Sequence, residues 1–295
     1  MTIAREEPAG AFRPPLLRLS VVIVTYRSAG VIAEALRALP EAVETIIVDN
    51  ASPDDTLAVA RAARPGAVIL AQPENRGFGA GCNAGIAAAS RELVLLLNPD
   101  GRIATSALGT LIAAADAYPD AAILAPALLD DDGKPVRSWD AAQVRRRALD
   151  RNRRSESWPA APFCAEFVSG ACMLLRRADG LRFDEAFFLY YEDDDLCAAA
   201  RAMGRSIVVV PAARAGHAGG KSSAPSRRVA WIKAYHLAWS RLRYLEKHGG
   251  KAEALGRLRH HAGKAIGHAL TLRGGRAWAD IAGFWGTLAW LRGRR

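Results

Sequence analysis

Long apolar runs are missing from this sequence of 295 residues, and no window reaches the ~18 apolar residues that a membrane-spanning helix needs. The N-terminus, MTIAREEPAGAFRPP, carries Glu6 and Glu7 and no apolar segment, so it does not read as a signal peptide. Cysteine is scarce. Cys82, Cys164, Cys172 and Cys197 show neither CxxC nor zinc-finger spacing and read as reduced, small apolar residues of a cytoplasmic protein. No RNP pattern and no convincing helix-turn-helix is present, which argues against nucleic acid as a partner despite a net charge of +10. Acidic residues are rare in the last third. Residues 201–295 hold 19 Lys and Arg against 3 Asp and Glu, whereas residues 1–200 hold 21 against 27. The first part is therefore mildly acidic (−6) and the last strongly basic (+16). A basic tail suits an anionic surface such as membrane lipid; an arginine-rich solvated helix surface is the plainer reading.

What is present is a chain 51% hydrophobic, enough for a sizeable core. Leu19–Tyr26 (LSVVIVTY), Thr45–Val48, Ala67–Ala71, Leu93–Leu97 and Ala121–Pro126 read as strands. Between them lie a helical pattern from Val31 to Leu39, a helix capped by Asp54 or Asp55 that runs to about Ala63, the Gly-rich loop feeding a helix at Gly77–Ala89, and a helix from an N-cap at Thr105 to Tyr118. This alternation predicts a doubly wound α/β fold with a mostly parallel sheet. Asp130–Gly133 reads as a hairpin tip. Residues 137–162, with Arg137, Arg145, Arg146, Arg147, Arg151, Arg153, Arg154, Trp139 and Trp158, read as a mobile loop. Phe167–Leu175 is a further strand, Glu192 opens a helix that ends at Gly204, and Ile207–Val210 is the last strand. The division expected is a flexible arm (1–18), an α/β unit (19–226) and a basic helical region (227–295). In that region Ile232, Tyr235, Trp239, Leu242 and Leu245 form one apolar stripe. Arg228, Lys233, Arg241, Arg243 and Lys247 face elsewhere, and Gly249-Gly250 ends the helix. A second stripe, Trp278, Ile281, Phe284/Trp285, Leu288 and Leu291, suits either a helix lying in a membrane interface or one packed on the domain or on a dimer mate.

Chemistry is concentrated where strands stop. Leu93–Asp100 reads LVLLLNPD: a strand buried on both faces, halted at Pro99. Asp100 thus stands past the carboxyl end of a buried strand, where open α/β sheets bind ligands. It could hold a divalent metal and through it a nucleotide-sugar diphosphate, or simply cap the next helix. Asp49, Asp100, the run Glu192-Asp193-Asp194-Asp195 and His217 all fall after expected strands. Hard oxygen ligands and an imidazole at one sheet edge fit Mg²⁺ or Mn²⁺, and a separate carboxylate could deprotonate an incoming hydroxyl. Phe187, Phe188, Tyr190 and Tyr191 beside the acidic run suit a sugar site. Lys221-Ser222-Ser223 after His217 suits a lid over phosphate.

Seven motifs in order, VVIVTYRS (21–28), VDNASPDDT (48–56), ENRGFGAGCNAGI (74–86), LLLNPD (95–100), FVSGACMLLRR (167–177), FDEAFFLYYEDDDL (183–196) and GHAGGKSS (216–223), resemble an inverting family 2 glycosyltransferase of the GT-A fold. The likeness is to bacterial rhamnosyl- and galactofuranosyltransferases of surface polysaccharide synthesis. The resemblance implies that Thr25 and Asp49 contact the nucleotide base, and that Asn75, Arg76, Gly77 and Asn83 line the nucleoside and diphosphate side. It implies that Asn98 touches ribose or sugar, that Asp100 is the metal ligand of a DXD-type motif beginning with Asn98, and that Asp193 is the catalytic base. Glu192, Asp194 and Tyr191 would face the acceptor. His217 would be a second ligand to Mn²⁺ or Mg²⁺ or would touch the diphosphate. Asp194 is the competing base, although a helix starting there aims the two side chains ~100° apart.

The implied reaction is one in-line displacement at the anomeric carbon. The donor is a dTDP or UDP sugar: rhamnose, with galactofuranose or a hexose as alternatives. The acceptor is a glycan or lipid-linked hydroxyl, and the place is the inner face of the cell membrane, with peripheral contact to anionic lipid. A homo-oligomer is compatible with this. Gly79-Ala80-Gly81-Cys82-Asn83-Ala84 also fits the dinucleotide fingerprint GxGxxA. It follows the third strand rather than the first, which disfavours an NAD or FAD oxidoreductase. A family 2 fold turned inactive scaffold is disfavoured by the intact Asp100, Asp193 and His217.

Overall fold

Five apolar residues in succession make Leu93–Leu97 a strand with every side chain buried, and the sheet is built outward from it. The computed structural model describes residues 15–140, 159–217, 226–248, 254–271 and 274–293. The expectations for residues 1–14, for Arg145 to Trp158, for 218–223, for Gly249-Gly250 and for Arg294-Arg295 lie outside the described residues.

The elements in chain order are β1 (Leu19–Thr25), α1 (Ile32–Ala38), β2 (Glu44–Asp49), α2 (Thr56–Ala63), β3 (Val68–Ala71), α3 (Phe78–Ala88), β4 (Leu93–Leu97) and β5 (Gly101–Ile103). They continue with α4 (Thr105–Ala117), β6 (Ala121–Leu129), β7 (Pro135–Val136), β8 (Trp139–Asp140), β9 (Phe163–Cys164), β10 (Phe167–Val168) and β11 (Cys172–Arg176). The last are α5 (Glu192–Ala202), β12 (Ser206–His217), α6 (Arg227–His248), α7 (Ala254–Leu270) and α8 (Gly274–Leu291). The main sheet runs β3-β2-β1-β4-β11-β6-β12-β5, with β7 on β6 and β9 on β12, while β8 and β10 pair by themselves. Strand β1 lies parallel to both β2 and β4, so Val22 faces Ile46 on one side and Leu96 on the other. The carboxyl ends Thr25, Asp49 and Asn98 therefore share one edge of the sheet.

Alternation along β1 splits the core. Val21 and Ile23 pack with α1 and α4 residues such as Leu36 and Leu108; Val22 and Val24 pack with Ile86 of α3 and Leu196 of α5. Each fully buried Leu, Ile or Val contributes about 1.5–3 kcal/mol. Helix α3 approaches unusually closely because it presents glycines to the sheet. A Cβ at Gly81 would stand 2.6 Å from Val24 Cγ1, and one at Gly85 would collide with Val22. The GxGxxA run is thus accounted for by helix-on-strand packing.

The structure corrects several expectations. The mostly parallel sheet expected holds over β3-β2-β1-β4, and β11 adds an antiparallel strand between β4 and β6. Phe167–Leu175 is two strands broken at Ser169–Ala171. The break brings the start of β11 to the functional edge, where Asn98 N–H donates to the Ala171 carbonyl (2.9 Å). The last strand does not stop at Val210. A register shift between Val210 and Arg214 absorbs Pro211, and β12 continues to His217, opposite Gly101 of the unforeseen β5. Thr105 is the first helical residue rather than the cap of α4; Ala104 occupies that position without a side-chain bond. Asp55 likewise caps α2 without a side-chain bond, and Asp54 accepts instead from Thr56. Of the expected arm, Pro15–Arg18 is a 3-10 turn tied down by Arg18, which pairs with Glu92 and Asp116 at 2.8 Å each.

The C-terminal helices also depart from expectation. On α6, Trp239 and Leu242 are buried, but Ala238, Ser240 and Tyr244 join them, while Ile232, Tyr235 and Leu245 are only half-buried. Lys247 pairs with Asp184 and Asp195 while staying exposed. On α8 the buried side is Ala277, Ala282, Gly283, Gly286 and Thr287, and the expected apolar stripe lies on the opposite face. No helix among the described residues is long and apolar enough to cross a membrane.

Replacing Gly85 by Val is expected to lift α3 from β1 and destabilise the fold by about 1–3 kcal/mol. The check is the urea midpoint of unfolding, with the wild-type slope retained.

Candidate active site

A cleft of about 550 Å³ opens at the carboxyl edge of β1 and β4. One wall is Thr25, Tyr26, Ser28, Asn50, Asn75 and Gly77; the floor is Asn98, Pro99, Ser169–Ala171 and His217. The far wall is Phe188–Tyr190 with Glu192 and Asp193, and α6 closes it with Arg228, Val229, Ile232 and Lys233.

Asp193 is the half-buried carboxylate of the acidic run and projects into the cleft. Two backbone donors orient it: Gly170 N–H to Oδ2 and Asp194 N–H to Oδ1, both 3.0 Å. Gly170 leaves the room this needs, since a Cβ there would stand 3.3 Å from Asp193 Cβ. Glu192 also lines the cleft but is buried. Burial first, then the Asp193 and Asp194 charges, push its carboxyl well above the usual range and favour the protonated form. Asp194 is buried away from the cleft lining. Asp195 is buried too, paired with Lys247 Nζ (2.8 Å) and His248 Nε2 (2.9 Å) of α6. Tyr191 takes a left-handed backbone at φ 66° and stacks at 5.5 Å on Tyr244; its neighbour Tyr190 is the one that lines the cleft.

On the opposite side, His217 Nε2 lies 3.6 Å from Asp100 Oδ1 and 3.2 Å from Asn98 Nδ2. Asp100 itself is buried just beneath the lining. Among the described residues no three His, Cys, Asp or Glu side chains converge as a metal cage. One carboxylate, one imidazole and a neighbouring amide oxygen are nevertheless a fitting partial donor set for Mg²⁺ or Mn²⁺. Such ions keep several sites for water and phosphate oxygens.

The remaining expected residues divide into lining and framework. Thr25 lines the cleft and donates to Asp49 Oδ1 (2.8 Å). Asp49 is buried beneath, where it also accepts from Ser52 N–H (2.9 Å), so it holds the loop after β2 and is not on the lining. Asn75 lines the cleft and accepts from Gly77 N–H (2.9 Å). Gly77 has φ +96°, and a Cβ there would collide with the Phe188 carbonyl, so only glycine fits. Arg76 turns away to Glu185 (2.7 Å) and borders a second cleft of about 770 Å³ beyond Phe188, walled by His236 and Trp239. His236 stacks at 4.4 Å on Phe188, and burial lowers its pKa to about 4. Asn83 is framework: its amide donates to Phe183 O and Glu185 Oε1 and accepts from Phe183 N–H. Arg228 and Lys233 were not foreseen as lining residues. Neither makes an ion pair among the described residues, and their i, i+5 spacing on a basic helix carries no signal of a shared pocket.

The profile of Glycosyl transferase family 2 matches residues 20–179. This chain belongs to glycosyltransferase family 2. The family match spans β1 to β11 and so covers Thr25 to Gly77 on one wall and Asn98 to Ala171 of the floor; the acidic helix α5, His217 and α6 lie beyond it. Among curated proteins, the transferase is 27% identical over 241 residues to an N-acetylglucosaminyl-diphospho-decaprenol L-rhamnosyltransferase of Mycobacterium tuberculosis, covering 68% of this chain and 75% of that one. It is 31% identical over 215 residues to the succinoglycan biosynthesis protein ExoO of Rhizobium meliloti, covering 66% of this chain and 59% of the relative. Among solved structures, a Pyrobaculum calidifontis mannosyltransferase in complex with GDP-Man and Mn²⁺ superposes with TM-score 0.55 at 18% identity, covering 100% of this chain and 92% of that one. TarS 1–349 of S. aureus in complex with UDP superposes with TM-score 0.52 at 17% identity, covering 94% and 92%. These likenesses establish the GT-A type α/β fold of the transferase.

The α6 end of the site depends on charge. Burial opposes the charge on Lys247, but its bonds to Asp195 and Asp184 raise its pKa overall. Burial likewise opposes Asp184, yet the Ala186 N–H and Lys247 hold it below the usual range. A raised lysine stabilises below its unfolded pKa and loses that as pH climbs through the folded value. A depressed aspartate stabilises above its unfolded pKa and loses that as pH falls through the folded value. The clasp therefore acts between about pH 4 and pH 10. Lys247→Met is expected to speed amide exchange in α6 and lower Tm at neutral pH, and the Tm difference from wild type should shrink as pH falls below about 4.

Proposed function

We propose that this transferase is an inverting, metal-dependent enzyme that moves a deoxyhexose such as rhamnose from a dTDP or UDP sugar to a lipid-linked or glycan hydroxyl, in bacterial cell-surface polysaccharide synthesis. The observation that carries this is Asp193, a carboxylate oriented by two N–H bonds in the same cleft as His217 and the Asn98–Asp100 turn. Rhamnose and a diphosphate-lipid acceptor are supported by the name of the mycobacterial relative. Surface polysaccharide is supported by the succinoglycan relative, and a nucleotide donor with Mn²⁺ by the complexes of the structural neighbours. Galactofuranose or a hexose remains the alternative donor sugar. We read residues 19–226 as the transferase unit and 227–295 as its helical extension. A lipid-linked acceptor would bring the enzyme to the inner face of the cell membrane.

The reaction is one displacement. The acceptor oxygen attacks the anomeric carbon, the bond from that carbon to the diphosphate oxygen breaks, and configuration inverts. Asp193 takes the acceptor hydroxyl proton as general base. Glu192, favoured in its protonated form, adds no competing charge beside it. Thr25, Asn50, Asn75 and Gly77 hold the nucleoside. Asp100 and His217 would hold Mn²⁺ or Mg²⁺, and a bound cation supplies charge neutralisation for the departing diphosphate. Arg228 and Lys233 face the cleft from α6 and draw phosphate groups toward it.

Asp193→Asn is expected to lower turnover by ~10²–10⁴-fold while nucleotide diphosphate affinity stays within about twofold. Near-normal turnover would remove Asp193 from the role. Asp100→Ala should abolish the Mn²⁺-dependent rise in Tm on adding dTDP or UDP. A rise that survives in this variant would place the metal elsewhere.

A further inference from the structure

A helix at a protein surface ordinarily buries its large apolar side chains and exposes its small or polar ones. Helix α8 does the reverse. Its inward side is Ala277, Ala282, Gly283, Gly286 and Thr287. The fit is close: a Cβ at Gly283 would stand 2.8 Å from the His261 ring of α7, and one at Gly286 would collide with the Tyr235 carbonyl of α6. With α8 locked in that rotation, Ile281 and Trp285, at i and i+4, face outward and are 37% and 47% exposed, while Trp278, 40% exposed, rests on Trp231 of α6 and donates its Nε1–H to the Arg227 carbonyl (3.1 Å). Leu291 continues at 42%. Contiguous exposed apolar residues of this size mark an interaction surface.

Charge identifies the occupant. Residues 254–295 contain eight Lys and Arg against a single acidic residue, Asp280. Asp280 is turned inward, 2.8 Å from His268 Nδ1 and 3.6 Å from His261 Nδ1. An apolar stripe with a tryptophan, on a helix whose exposed charged residues are Arg276 and Arg292, matches an anionic bilayer interface, where rings sit at headgroup depth and arginines meet phosphates. A second copy of the same chain would bring the same positive surround against itself. The helix of 18 residues is about 27 Å long, enough to lie along such a surface.

We propose that the outward face of α8 docks this protein on an anionic lipid bilayer. The proposal extends the lipid-linked acceptor reading, yet lipid binding is measured without donor, acceptor or turnover, so either can fail alone. The full chain is floated with vesicles of 30% phosphatidylglycerol in phosphatidylcholine and with pure phosphatidylcholine. Flotation is expected with the first and at least tenfold less with the second. Ile281→Glu with Trp285→Glu changes two outward positions that make no hydrogen bond or ion pair among the described residues. It should abolish flotation while circular dichroism and the Tm rise with nucleotide are retained. If the wild type stays at the bottom of the gradient, or the double variant floats as well, the proposal is overturned. It is equally overturned if light scattering finds a dimer that the double variant converts to monomer while neither form binds vesicles.

Discussion

The cleft depends on one segment, residues 183–191, which is stitched to the helices on both sides of it. Toward α3, Asn83 grips Phe183 through both backbone groups, and Phe78 N–H donates to the Phe188 carbonyl at 3.1 Å. That last bond exists because Gly77 has no Cβ. Toward α6, Ser240 donates to the Leu189 carbonyl at 3.0 Å and Lys247 pairs with Asp184. Tyr190 and Tyr191, both with positive φ, then turn the chain into α5 so that its first residues arrive at the sheet edge. The Asn75–Gly77 wall, helix α5 and helix α6 are thus tied together by the same nine residues.

The four acidic residues that open α5 illustrate how position alone separates identical chemistry. A helix N-terminus favours negative charge, so the run as a whole is tolerated. Successive residues then point about 100° apart. Glu192 falls against apolar surroundings and leans to its neutral form. Asp193 falls on the cleft and receives two N–H bonds. Asp194 goes inward, and Asp195 meets the cations of α6. One half-buried carboxylate, Asp193, faces the cleft, because Glu192 is buried, Asp194 turns inward and Asp195 meets α6.

The strands and their shared edge were legible because apolar runs and their stops are local facts: β4 spans the same five residues that composition alone marks out. The antiparallel β11 was not, since strand direction is set by distant partners rather than by its own residues. Pro211 misled about the end of β12, because a register shift that skips a proline leaves no local trace. Asn75, Gly77, Asn98, Asp193 and His217 could be read into one site from motif order. Asp49 and Asn83 could not be told from lining residues, because polar side chains that brace a loop and polar side chains that meet a ligand look alike until their partners are known. The α6 wall was invisible for the same reason: Arg228 and Lys233 belong to a helix whose contact with the cleft is purely tertiary.

The C-terminal helices then acquire a logic that runs through α6. One of its faces closes the cleft and is clasped to α5; another receives α8 at backbone contact through Gly286. Helix α7 meets α8 at the His261–Gly283 contact and through the Asp280 imidazole pair. Close glycine-mediated seating leaves little freedom for α8 to roll Ile281 and Trp285 inward, since large side chains could not replace the small ones at that interface. The exposed apolar stripe is therefore a consequence of how α8 is held, and what holds it is the same helix that borders the cleft.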